Sequence, residues 1–438
     1  MTSKRIIVLG AGLTGLSVAW HLQKSKASCE IFEKEIEVGG LCRSQKVGGF
    51  TFDYTGHLLH FKNPGIFSFI KKLLGNNLAV HKRSSWVYFS GRHIPYPFQA
   101  NLHGLPPAVI KECLLSLIGV LRNKNNHVIK GNFSDWIDYN LGRGIARYFM
   151  RPYNSKFWTI PCDRLSCDWH NNIVPQPSPS QIIEGALGSR AWNLGYNSKF
   201  WYPVRGGIEV LPLAIDSQIS NVHTESEVKG INIRDKRIVT ASGKEHKFDY
   251  LVSTIPLPEL HKLISVVPHR VKSLFDKLSW NSITNINLGL DKCIMPGKNW
   301  VYFHQKELIF FRVGFYHSFS SFLSPSGKGS LYAEVSYSKR KPLQKDALLD
   351  LVKKDLRKID ILGSNGVCAQ NVNDIKYAYP IYDSNYRASR KGILDYLYRH
   401  DIFSCGRYGA WKYMSMEDCL LEGKMVAQNI LNNNKCQF

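Results

Sequence analysis

Short apolar runs alternate with helical patterns in three separate parts of the chain. Residues Ile6 to Leu9 form an unbroken apolar run that is rich in β-branched residues, which is typical of a strand buried in a parallel sheet. A helical spacing of apolar residues follows from Leu16 to Leu22, and a second apolar run extends from Cys29 to Phe32. The same alternation recurs later, so the pattern predicts an α/β fold. Its discontinuous domain is built from residues 1–65, 205–265 and 370–438, with further strands at Val222 to Val228 and Phe248 to Ile255.

The two intervening regions have different patterns. Residues 100–190 are rich in helical apolar spacing, most clearly from Pro107 to Leu121 and from Ser134 to Phe149. Residues 80–99 and 270–365 instead alternate apolar and polar positions, which predicts an antiparallel sheet. We therefore expect an inserted helical domain and an antiparallel β-sheet domain beside the α/β domain.

A glycine-rich turn follows the first predicted strand directly. Gly10, Gly12 and Gly15 have the spacing G-x-G-x-x-G, and Leu13–Thr14 open the predicted helix. In this arrangement the glycines make a tight turn, admit a pyrophosphate close to the backbone and let the helix pack on the strand. Glu33 lies 18 residues beyond Gly15, where a carboxylate binds a ribose hydroxyl. Because the helix N-terminus also offers N–H groups to phosphate, the motif predicts a Rossmann-like dinucleotide site.

A second glycine pair favours one dinucleotide over another. Gly39 and Gly40 follow Glu33 closely and are themselves followed by Arg43. This segment resembles the second signature of the FAD-dependent amine-oxidase-like group. The resemblance implies glycines close to the flavin ribityl-phosphate and an arginine that assists the anion, so it favours FAD over NAD.

The C-terminal part of the chain adds to the same predicted cofactor site. A short predicted strand breaks at Gly406–Arg407, and Ser415–Asp418 form a capping-box pattern that opens a helix at Met416. We expect this second helix N-terminus to face the polar edge of the flavin. The resemblance also places the backbone of Val228 at the adenine and the loop Gly56–His57 against the flavin ring.

The charge balance is strongly basic. The chain carries 57 Lys and Arg against 34 Asp and Glu, a net charge of +23. Such a field attracts anions, whether phosphorylated small molecules, anionic lipid or nucleic acid. Because the basic residues are scattered and no nucleic-acid-binding motif is present, we expect no nucleic-acid partner. The alternative explanation of the net charge is a solvated basic surface that binds no anionic partner.

The cysteines and the apolar runs bear on compartment. The ten cysteines are irregularly spaced without a CxxC pair, which argues against zinc ribbons, so we expect no metal and free thiols in a reducing cytosol. The longest mainly apolar run, Cys113 to Leu121, is too short to span a bilayer, and the N-terminus shows no signal sequence. The sequence therefore predicts a soluble, cytoplasmic protein.

Five further segments, spread over nearly the whole chain, are more specific. They are Gly49–His57, Ile94–Gln99, Phe149–Trp158, Phe200–Gly207 and Gly406–Tyr413. In this order they resemble the UDP-galactopyranose mutase family, and its eukaryotic-type branch more than its bacterial one.

One end of the expected substrate site is aromatic. Tyr96 and Phe98 offer ring faces beside the amide of Gln99, which can pair with a nucleobase edge. The resemblance implies that this segment, together with Asn154 and Trp158, holds the uridine end and the sugar. A buried aromatic loop is the alternative.

The resemblance assigns the diphosphate and the hexose to other residues. Arg312 is expected to clamp the diphosphate through charge-assisted hydrogen bonds, and Arg312 and His57 are the candidate catalytic residues. Without the resemblance, an arginine in a strand is more often a surface or ion-pair residue. The remaining expected contacts are Tyr302, Tyr379 and Tyr413 at the diphosphate and Asn193 and Asn197 at the hexose.

Two positions depart from the family pattern. Ile173 stands where a second arginine is usual, and Phe319 replaces an expected tyrosine, although Tyr316 lies nearby. Both changes are expected to touch the phosphate–sugar half of the site. A different sugar, a weaker hold on the diphosphate, or a loss of catalysis would each follow from them.

The sequence as a whole predicts a flavin-dependent nucleotide-sugar mutase of polysaccharide biosynthesis. In the family's mechanism, N5 of the reduced flavin attacks the anomeric carbon, and the resulting adduct allows the pyranose and furanose forms of a UDP- or dTDP-linked sugar to interconvert. The expected partners are a nucleotide-diphosphate sugar and an electron donor that reduces the flavin, while a homo-oligomer is left open. The alternatives are an FAD-dependent oxidase or desaturase of the amine-oxidase group and a non-catalytic nucleotide-sugar-binding flavoprotein.

Overall fold

Segments far apart in the chain combine into a mixed α/β fold. The computed structural model describes residues 4–123, 131–170, 173–189, 194 and 198–432. The strands are β1 (Ile6–Leu9), β2 (Cys29–Phe32), β3 (Ser44–Val47), β4 (Phe50–Asp53), β5 (Leu78–Lys82), β6 (Ser85–Phe89), β7 (Arg92–Pro95), β8 (Lys199–Pro203), β9 (Val222–His223), β10 (Val228–Asn232), β11 (Arg237–Thr240), β12 (Glu245–Lys247), β13 (Tyr250–Ser253), β14 (Trp280–Leu290), β15 (Trp300–Phe303), β16 (Arg312–Phe315), β17 (Gly329–Tyr337), β18 (Val367–Pro380) and β19 (Ile402–Ser404). The α-helices are α1 (Leu13–Lys24), α2 (Pro64–Leu74), α3 (Pro107–Asn123), α4 (Phe133–Ile145), α5 (Arg151–Trp158), α6 (Pro179–Ala186), α7 (Val210–Asp216), α8 (Leu257–Leu263), α9 (His269–Asp276), α10 (Leu348–Lys358), α11 (Tyr386–Tyr398), α12 (Gly406–Gly409) and α13 (Met416–Leu431).

A five-stranded parallel sheet has the order β19-β13-β1-β2-β9. Ile6 in β1 pairs with Cys29 on one side and with Tyr250 on the other, so strands from distant segments are direct neighbours. All four residues of β1 are buried, as its unbroken apolar run predicts for a strand inside a parallel sheet. The predicted α/β fold class, with an inserted helical part and an antiparallel sheet, is confirmed.

Helices α1 and α13 pack closely against each other beside this sheet. A Cβ atom at Gly423 would lie 2.7 Å from the carbonyl oxygen of Thr14, so only glycine allows this approach. The hydroxyl of Ser17 donates to the carbonyl of Leu420 at 2.7 Å. The contact brings the N-termini of the first and last α-helices to the same region of the molecule.

A seven-stranded sheet has the order β18-β14-β17-β16-β15-β6-β7. Its neighbouring strands are antiparallel except β15 and β6, which run parallel. Strand β14 is buried along nearly its whole length because it lies between β17 and β18. The sheet therefore offers a rigid support for side chains that face the α/β domain.

The helical part contains α3 to α6, and a π-helical turn, Ala146–Met150, joins α4 to α5. The crossing of α3 and α4 is tight, because a Cβ atom at Gly144 would lie 2.6 Å from the Cα of Cys113. Both helices occur where the apolar spacing predicts them. Across the described ranges, no helix is long and apolar enough to cross a membrane.

Two sequence expectations need correction. The run from Val222 to Val228 is not one strand: β9 joins the parallel sheet, whereas β10 begins at Val228 and pairs with β11 in a separate sheet. The chain reverses between them at Glu225, whose φ is 51°. The sequence pattern assigns residues from 370 to the α/β domain, but β18 pairs with β14 in the seven-stranded sheet, and its alternating burial shows that one of its faces is exposed. The other domain boundaries remain predictions.

Candidate functional site

One cavity of about 960 Å³ connects the glycine-rich turn after β1 with the seven-stranded sheet and the helical part. This volume is near the top of the usual range for ligand pockets, about 300–1,000 Å³. Most of the predicted site residues line it. They are Gly10, Gly12, Leu13, Thr14, Glu33, Gly39, Gly40, Arg43, Gly56, His57, Tyr96, Gln99, Asn154, Val228, Tyr302, Arg312, Tyr379, Gly406, Arg407, Tyr413, Ser415 and Met416.

The turn before α1 has the geometry that a phosphate requires. Gly10 has a φ of 95°, and a Cβ atom at Gly15 would overlap the carbonyl oxygen of Gly10. Gly12 is the N-cap of α1 and provides no side chain, so no side-chain cap occupies the first N–H groups of this helix. A Cβ atom at Gly12 would meet nothing within 4 Å, which places this backbone at open space. The first turn of α1 therefore presents N–H groups and a positive dipole end to the cavity.

Glu33 is held at the end of β2. Its Oε2 accepts the N–H of Ala11 at 2.7 Å and its Oε1 accepts the N–H of Glu35 at 3.0 Å. The residue is buried, and it lines the cavity. Two backbone bonds fix the carboxylate while leaving further acceptor capacity on both oxygens for a ribose hydroxyl.

The second glycine pair packs directly on the first turn. Gly39 forms a bridge with Gly12, and its N–H donates to the carbonyl of Ala11 at 2.8 Å. Arg43 Nε donates to the carbonyl of Gly40 at 2.9 Å, and its guanidinium lies 3.7 Å from a carboxylate oxygen of Glu35. Arg43 therefore serves first to hold the Gly39–Gly40 loop in place.

The second helix N-terminus also reaches the cavity. Gly406 has a φ of 78°, and a Cβ atom there would lie 2.5 Å from Thr14 Oγ1, so the α12 turn contacts the start of α1. The predicted capping box of α13 is confirmed, since Ser415 and Asp418 exchange both capping hydrogen bonds. The capping box pairs the N–H groups of Ser415 and Asp418, and the N–H groups of Met416 and Glu417 are the ones in this turn that it does not use.

His57 lies in a loop between this cradle and the seven-stranded sheet. Burial, and then the charges of Arg407 and Arg312, lower the pKa of His57 to about 4. Its Nδ1 lies 3.4 Å from the hydroxyl oxygen of Thr55. His57 is therefore neutral near pH 7. A Cβ atom at the preceding Gly56 would overlap Tyr332, which shows how closely this loop approaches β17.

Arg407 lies beside two stacked tyrosine rings. Its guanidinium carbon is 4.7 Å from the ring centre of Tyr379 and 4.9 Å from that of Tyr413, and the two rings are stacked at 5.4 Å. It also donates to the carbonyls of Met414 at 2.7 Å and Ala378 at 3.1 Å. The cation holds both rings at the cavity wall through cation–π contacts.

Arg312 forms a buried ion pair with Glu334 on the neighbouring strand. The guanidinium donates from Nε and Nη2 to the two carboxylate oxygens, the second bond measuring 2.8 Å. Burial opposes the charge of Arg312, but the carboxylate of Glu334 outweighs it and raises the pKa of the guanidinium well above its usual value. The arginine is therefore always charged, and two of its five N–H donors are already used.

The aromatic end of the cavity is partly as expected. Tyr96 packs on Tyr302 with ring centres 5.0 Å apart. Gln99 donates from Nε2 to the carbonyl of Pro175 at 2.7 Å, and its Oε1 has no partner within the described chain. Asn154 lines the cavity while its amide donates to the carbonyl of Met150 at 2.7 Å. This end therefore combines ring faces with an unpaired amide oxygen.

Three expected residues lie behind the wall rather than in it. Phe98 is fully buried and stacks on Phe149 at 5.0 Å, and Trp158 is buried against Trp169 at 4.8 Å. Gly15 faces the turn and not the cavity. These residues support the site without lining it.

The remaining expectations divide into three cases. Asn193 and Asn197 lie outside the described residues. Ile173 does line the cavity, as the family pattern predicts for that position. Phe319 does not: it is buried among the rings of Phe200 and Tyr202, so its departure from the family pattern does not change the cavity wall.

Several lining residues were not identified from the sequence. Two of them, Tyr332 and Glu334, lie two residues apart on the same face of β17. The others come from three further parts of the chain and are Tyr153, Trp169 and Trp300. A signal was present for Glu334, because a single carboxylate in the otherwise uncharged strand Gly329–Tyr337 requires a buried partner. For the indole and phenol rings no local signal distinguishes a lining position from a core position.

The residues present fit a flavin dinucleotide. The uncapped first turn of α1 suits a pyrophosphate, the fixed carboxylate of Glu33 suits a ribose, and a long stretch of wall from Gly56 to Arg407 remains for a flat ring. The described chain holds no group of three or more His, Cys, Asp or Glu side chains arranged to bind a metal ion.

The fold and this cradle define a flavoenzyme, and the chain belongs to the flavin-containing amine oxidoreductase family, whose family model matches residues 13–431. Among solved structures, the chain is similar to a reduced UDP-galactopyranose mutase, with a TM-score of 0.93 and 27 % identity. The similarity covers 98 % of this chain and 96 % of that one. The resemblance of the sequence to the UDP-galactopyranose mutase family is thereby confirmed.

The chain is also similar over part of its length to curated proteins with other names. The chain is 25 % identical over 240 residues to the zeta-carotene-forming phytoene desaturase of Myxococcus xanthus, covering 49 % of this chain and 44 % of that protein. It is 23 % identical over 304 residues to the 4,4'-diaponeurosporene oxygenase of Staphylococcus aureus strain Mu50, covering 62 % of this chain and 60 % of that protein. The chain thus spans less than two thirds of the length of these relatives.

Proposed function

We propose that the protein is an FAD-dependent mutase that interconverts the pyranose and furanose forms of a nucleotide-linked sugar. The observation that carries this proposal is the similarity to UDP-galactopyranose mutase over 98 % of the chain at a TM-score of 0.93. The cavity supports it, because the flavin cradle continues without interruption into an aromatic and amide-bearing end. An oxidase of a small amine would need no such extension.

In this proposal the chain's own residues bind and orient a nucleoside diphosphate. The ring faces of Tyr96 and Tyr302 and the free Oε1 of Gln99 receive the nucleobase, since a base offers both a flat face and an N–H donor. Arg312 offers its remaining donors to the diphosphate, and Tyr379 adds its hydroxyl.

The reduced flavin, when bound, supplies the electron pair that attacks the sugar. The protein holds the sugar against the flavin ring. The apolar side chains of Phe157, Phe311 and Ile283 line the cavity and exclude water from it. His57 is neutral, so a ring nitrogen is available to accept a hydrogen bond from a sugar hydroxyl and to orient it. The reaction has no net redox change, yet it requires an electron donor that keeps the flavin reduced. We propose a UDP- or dTDP-linked sugar as substrate and a role in polysaccharide biosynthesis.

The decisive experiment compares the reduced and the oxidised holoenzyme. A panel of UDP- and dTDP-sugars is incubated with and without dithionite, and the products are separated by chromatography. Ring-isomerised sugar in the reduced sample alone is the expected result and identifies the sugar. Binding of the nucleotide without turnover in either sample contradicts a mutase and supports a non-catalytic flavoprotein.

A second candidate function is an FAD-dependent oxidase or desaturase. The observation that favours it is the sequence similarity to the phytoene desaturase and to the diaponeurosporene oxygenase. Such an enzyme turns over with oxidised flavin and does not need the Gln99 end of the cavity. Peroxide formation or double-bond formation in the oxidised sample, undiminished in the variant Tyr96→Ala, would establish it in place of the mutase.

A further inference from the structure

A second chamber of about 460 Å³ adjoins the main cavity. The two share Trp169, Ile173 and Tyr413 in their walls. The rest of the second chamber is lined by α11 and by residues near Tyr382 and Lys412. Apart from Tyr413 and Ile173, these residues have no part in the function proposed above.

Positive charge predominates in this second chamber. Its charged lining residues are Arg387, Arg390, Lys391, Lys412, Asp168 and Asp395. Both carboxylates are already engaged, because Asp168 pairs with Arg387 at 2.5 Å and Asp395 pairs with Lys391 at 2.7 Å. These two pairs are solvent-exposed and leave the other two cations uncompensated within the chamber.

Arg390 and Lys412 form no ion pair within 4.0 Å with a carboxylate of the described chain. Arg390 donates from Nε to the carbonyl of Ala410 at 2.5 Å, which leaves the other guanidinium donors for a ligand. Glu422 is within their electrostatic range: burial raises its pKa, and both cations act against that rise. Its carboxylate, however, accepts the N–H of Gly406.

A buried donor without a partner lies at the boundary of the two chambers. Trp169 is 7 % exposed, and its Nε1–H has no hydrogen-bond partner in the described chain. Leaving such a group unpaired costs free energy, and an oxygen-rich ligand would satisfy it.

The cations of the main cavity are, by contrast, already engaged. Arg312 pairs with Glu334, Arg43 lies near Glu35, and Arg407 donates to backbone carbonyls. The lysines that line the main cavity, each in an ion pair, are Lys34, Lys229, Lys262 and Lys376. Arg407 is without an ion pair as well, but both of its Nη atoms donate to backbone carbonyls, whereas Arg390 donates only from Nε.

We propose that the second chamber binds a phosphate group, with Arg390 and Lys412 as its cations and Trp169 Nε1–H as a further donor. The planar guanidinium of Arg390 suits two phosphate oxygens at once, and the ammonium of Lys412 adds a point charge. Because the wall is shared, the phosphate belongs either to the ligand that fills the main cavity or to a separate anion. The proposal does not require mutase activity.

The test measures binding to the oxidised holoenzyme by calorimetry with three probes: pyrophosphate, UDP and uridine. The variant Arg390→Gln/Lys412→Gln is compared with wild type and with Lys354→Gln, an exposed lysine of α10. We expect pyrophosphate affinity to fall about tenfold or more in the double variant and to stay unchanged in the control. No binding of pyrophosphate to the wild type, or equal affinity in the double variant, would overturn the proposal.

The UDP arm distinguishes the two sources of the phosphate. A parallel loss of UDP affinity, with uridine unaffected, assigns the phosphate to the ligand of the main cavity, whereas a loss for pyrophosphate alone assigns it to a separate anion. Loss of the Arg390 bond to Ala410 can unfold the double variant, so the exposed single variant Lys412→Gln repeats the measurement without that risk. Because the test measures binding and not turnover, its outcome is valid whether or not the protein is a mutase.

Discussion

Arg312 and Glu334 lie directly opposite each other on β16 and β17, and the guanidinium Nη2 donates to Glu334 Oε1 at 2.8 Å. The carboxylate is 1 % exposed and the arginine side chain 20 % exposed. The pair therefore has two roles that mutation can separate: it compensates a buried charge, and it presents the outer donors of the arginine to the cavity.

We expect Arg312→Ala to lower the free energy of unfolding by about 3–5 kcal/mol, because it leaves the carboxylate of Glu334 buried without a partner. It should also weaken nucleotide-sugar binding by about 1.5–3 kcal/mol. Urea denaturation and calorimetry measure the two effects. In the double variant Arg312→Met/Glu334→Leu, stability should return while binding does not. Unchanged affinity in Arg312→Ala would remove this arginine from the ligand site.

Gly406→Ala should reduce the flavin content of the purified protein. The new Cβ atom would lie 2.5 Å from Thr14 Oγ1, at the start of the helix that faces the pyrophosphate. Gly243→Ala is a matched control, since Gly243 has a φ of 80°, close to the 78° of Gly406, but no atom within 4 Å of its Cβ position. Both variants pay a backbone strain of about 1–2 kcal/mol, and only Gly406→Ala should lose flavin. Equal flavin-to-protein ratios would contradict the placement of this turn at the cofactor.

The contribution of His57 to the stability of the flavin-free protein should fall as the pH drops from about 6.5 to 4. Burial and two arginines lower the pKa of His57 to about 4 in the folded state, whereas an unfolded chain has a histidine pKa of about 6.5. Between these values the unfolded state binds more protons, so the contribution of His57 is present above this window and is lost as the pH falls through it.

Urea denaturation at a series of pH values gives the slope of the free energy of unfolding against pH. The variant His57→Asn should lower the pH dependence by about 1–3 kcal/mol across the window, and the exposed His269→Asn serves as control. A slope identical to that of wild type in His57→Asn would show that His57 is not a buried neutral group.

Gln99→Met should weaken UDP binding about tenfold without changing flavin content, because the free Oε1 of Gln99 is the acceptor expected to face the base. Gln305 is a close structural match: its Nε2 also donates to a carbonyl, that of Tyr88 at 2.8 Å, and its Oε1 also lacks a partner. It does not line the cavity. Calorimetry with UDP should therefore separate Gln99→Met from Gln305→Met, and equal losses would assign the effect to general destabilisation.

The cofactor cradle was predictable because its signals are local. Gly10, Gly12 and Glu33 are set by strand, turn and helix within one short stretch, and the capping box at Ser415 needs only four consecutive residues. The class of the fold follows from the same alternation of strands and helices.

The substrate half depends on register and packing, which a single sequence does not contain. Glu334 faces Arg312 only because β16 and β17 pair in one particular register. Tyr96 lines the cavity while Phe98, two residues on, is buried behind it, because a short 3-10 turn beginning at Phe98 redirects the chain. Both rings look equivalent in the sequence.

The parallel sheet has a consequence for how the chain acquires its structure. β1 pairs with β13 and β13 with β19, so Ile6 meets Tyr250 and Leu251 meets Ile402. During synthesis, β1 and the glycine-rich turn leave the ribosome long before β13 and β19, the two strands that complete the sheet on one side of β1. Contacts of such long sequence separation form slowly, and their absence leaves apolar strand edges exposed. The cradle can therefore be complete only after β19 and α13 have been synthesised, and a chain that ends before Ile402 lacks part of a site whose signature lies in the first fifteen residues.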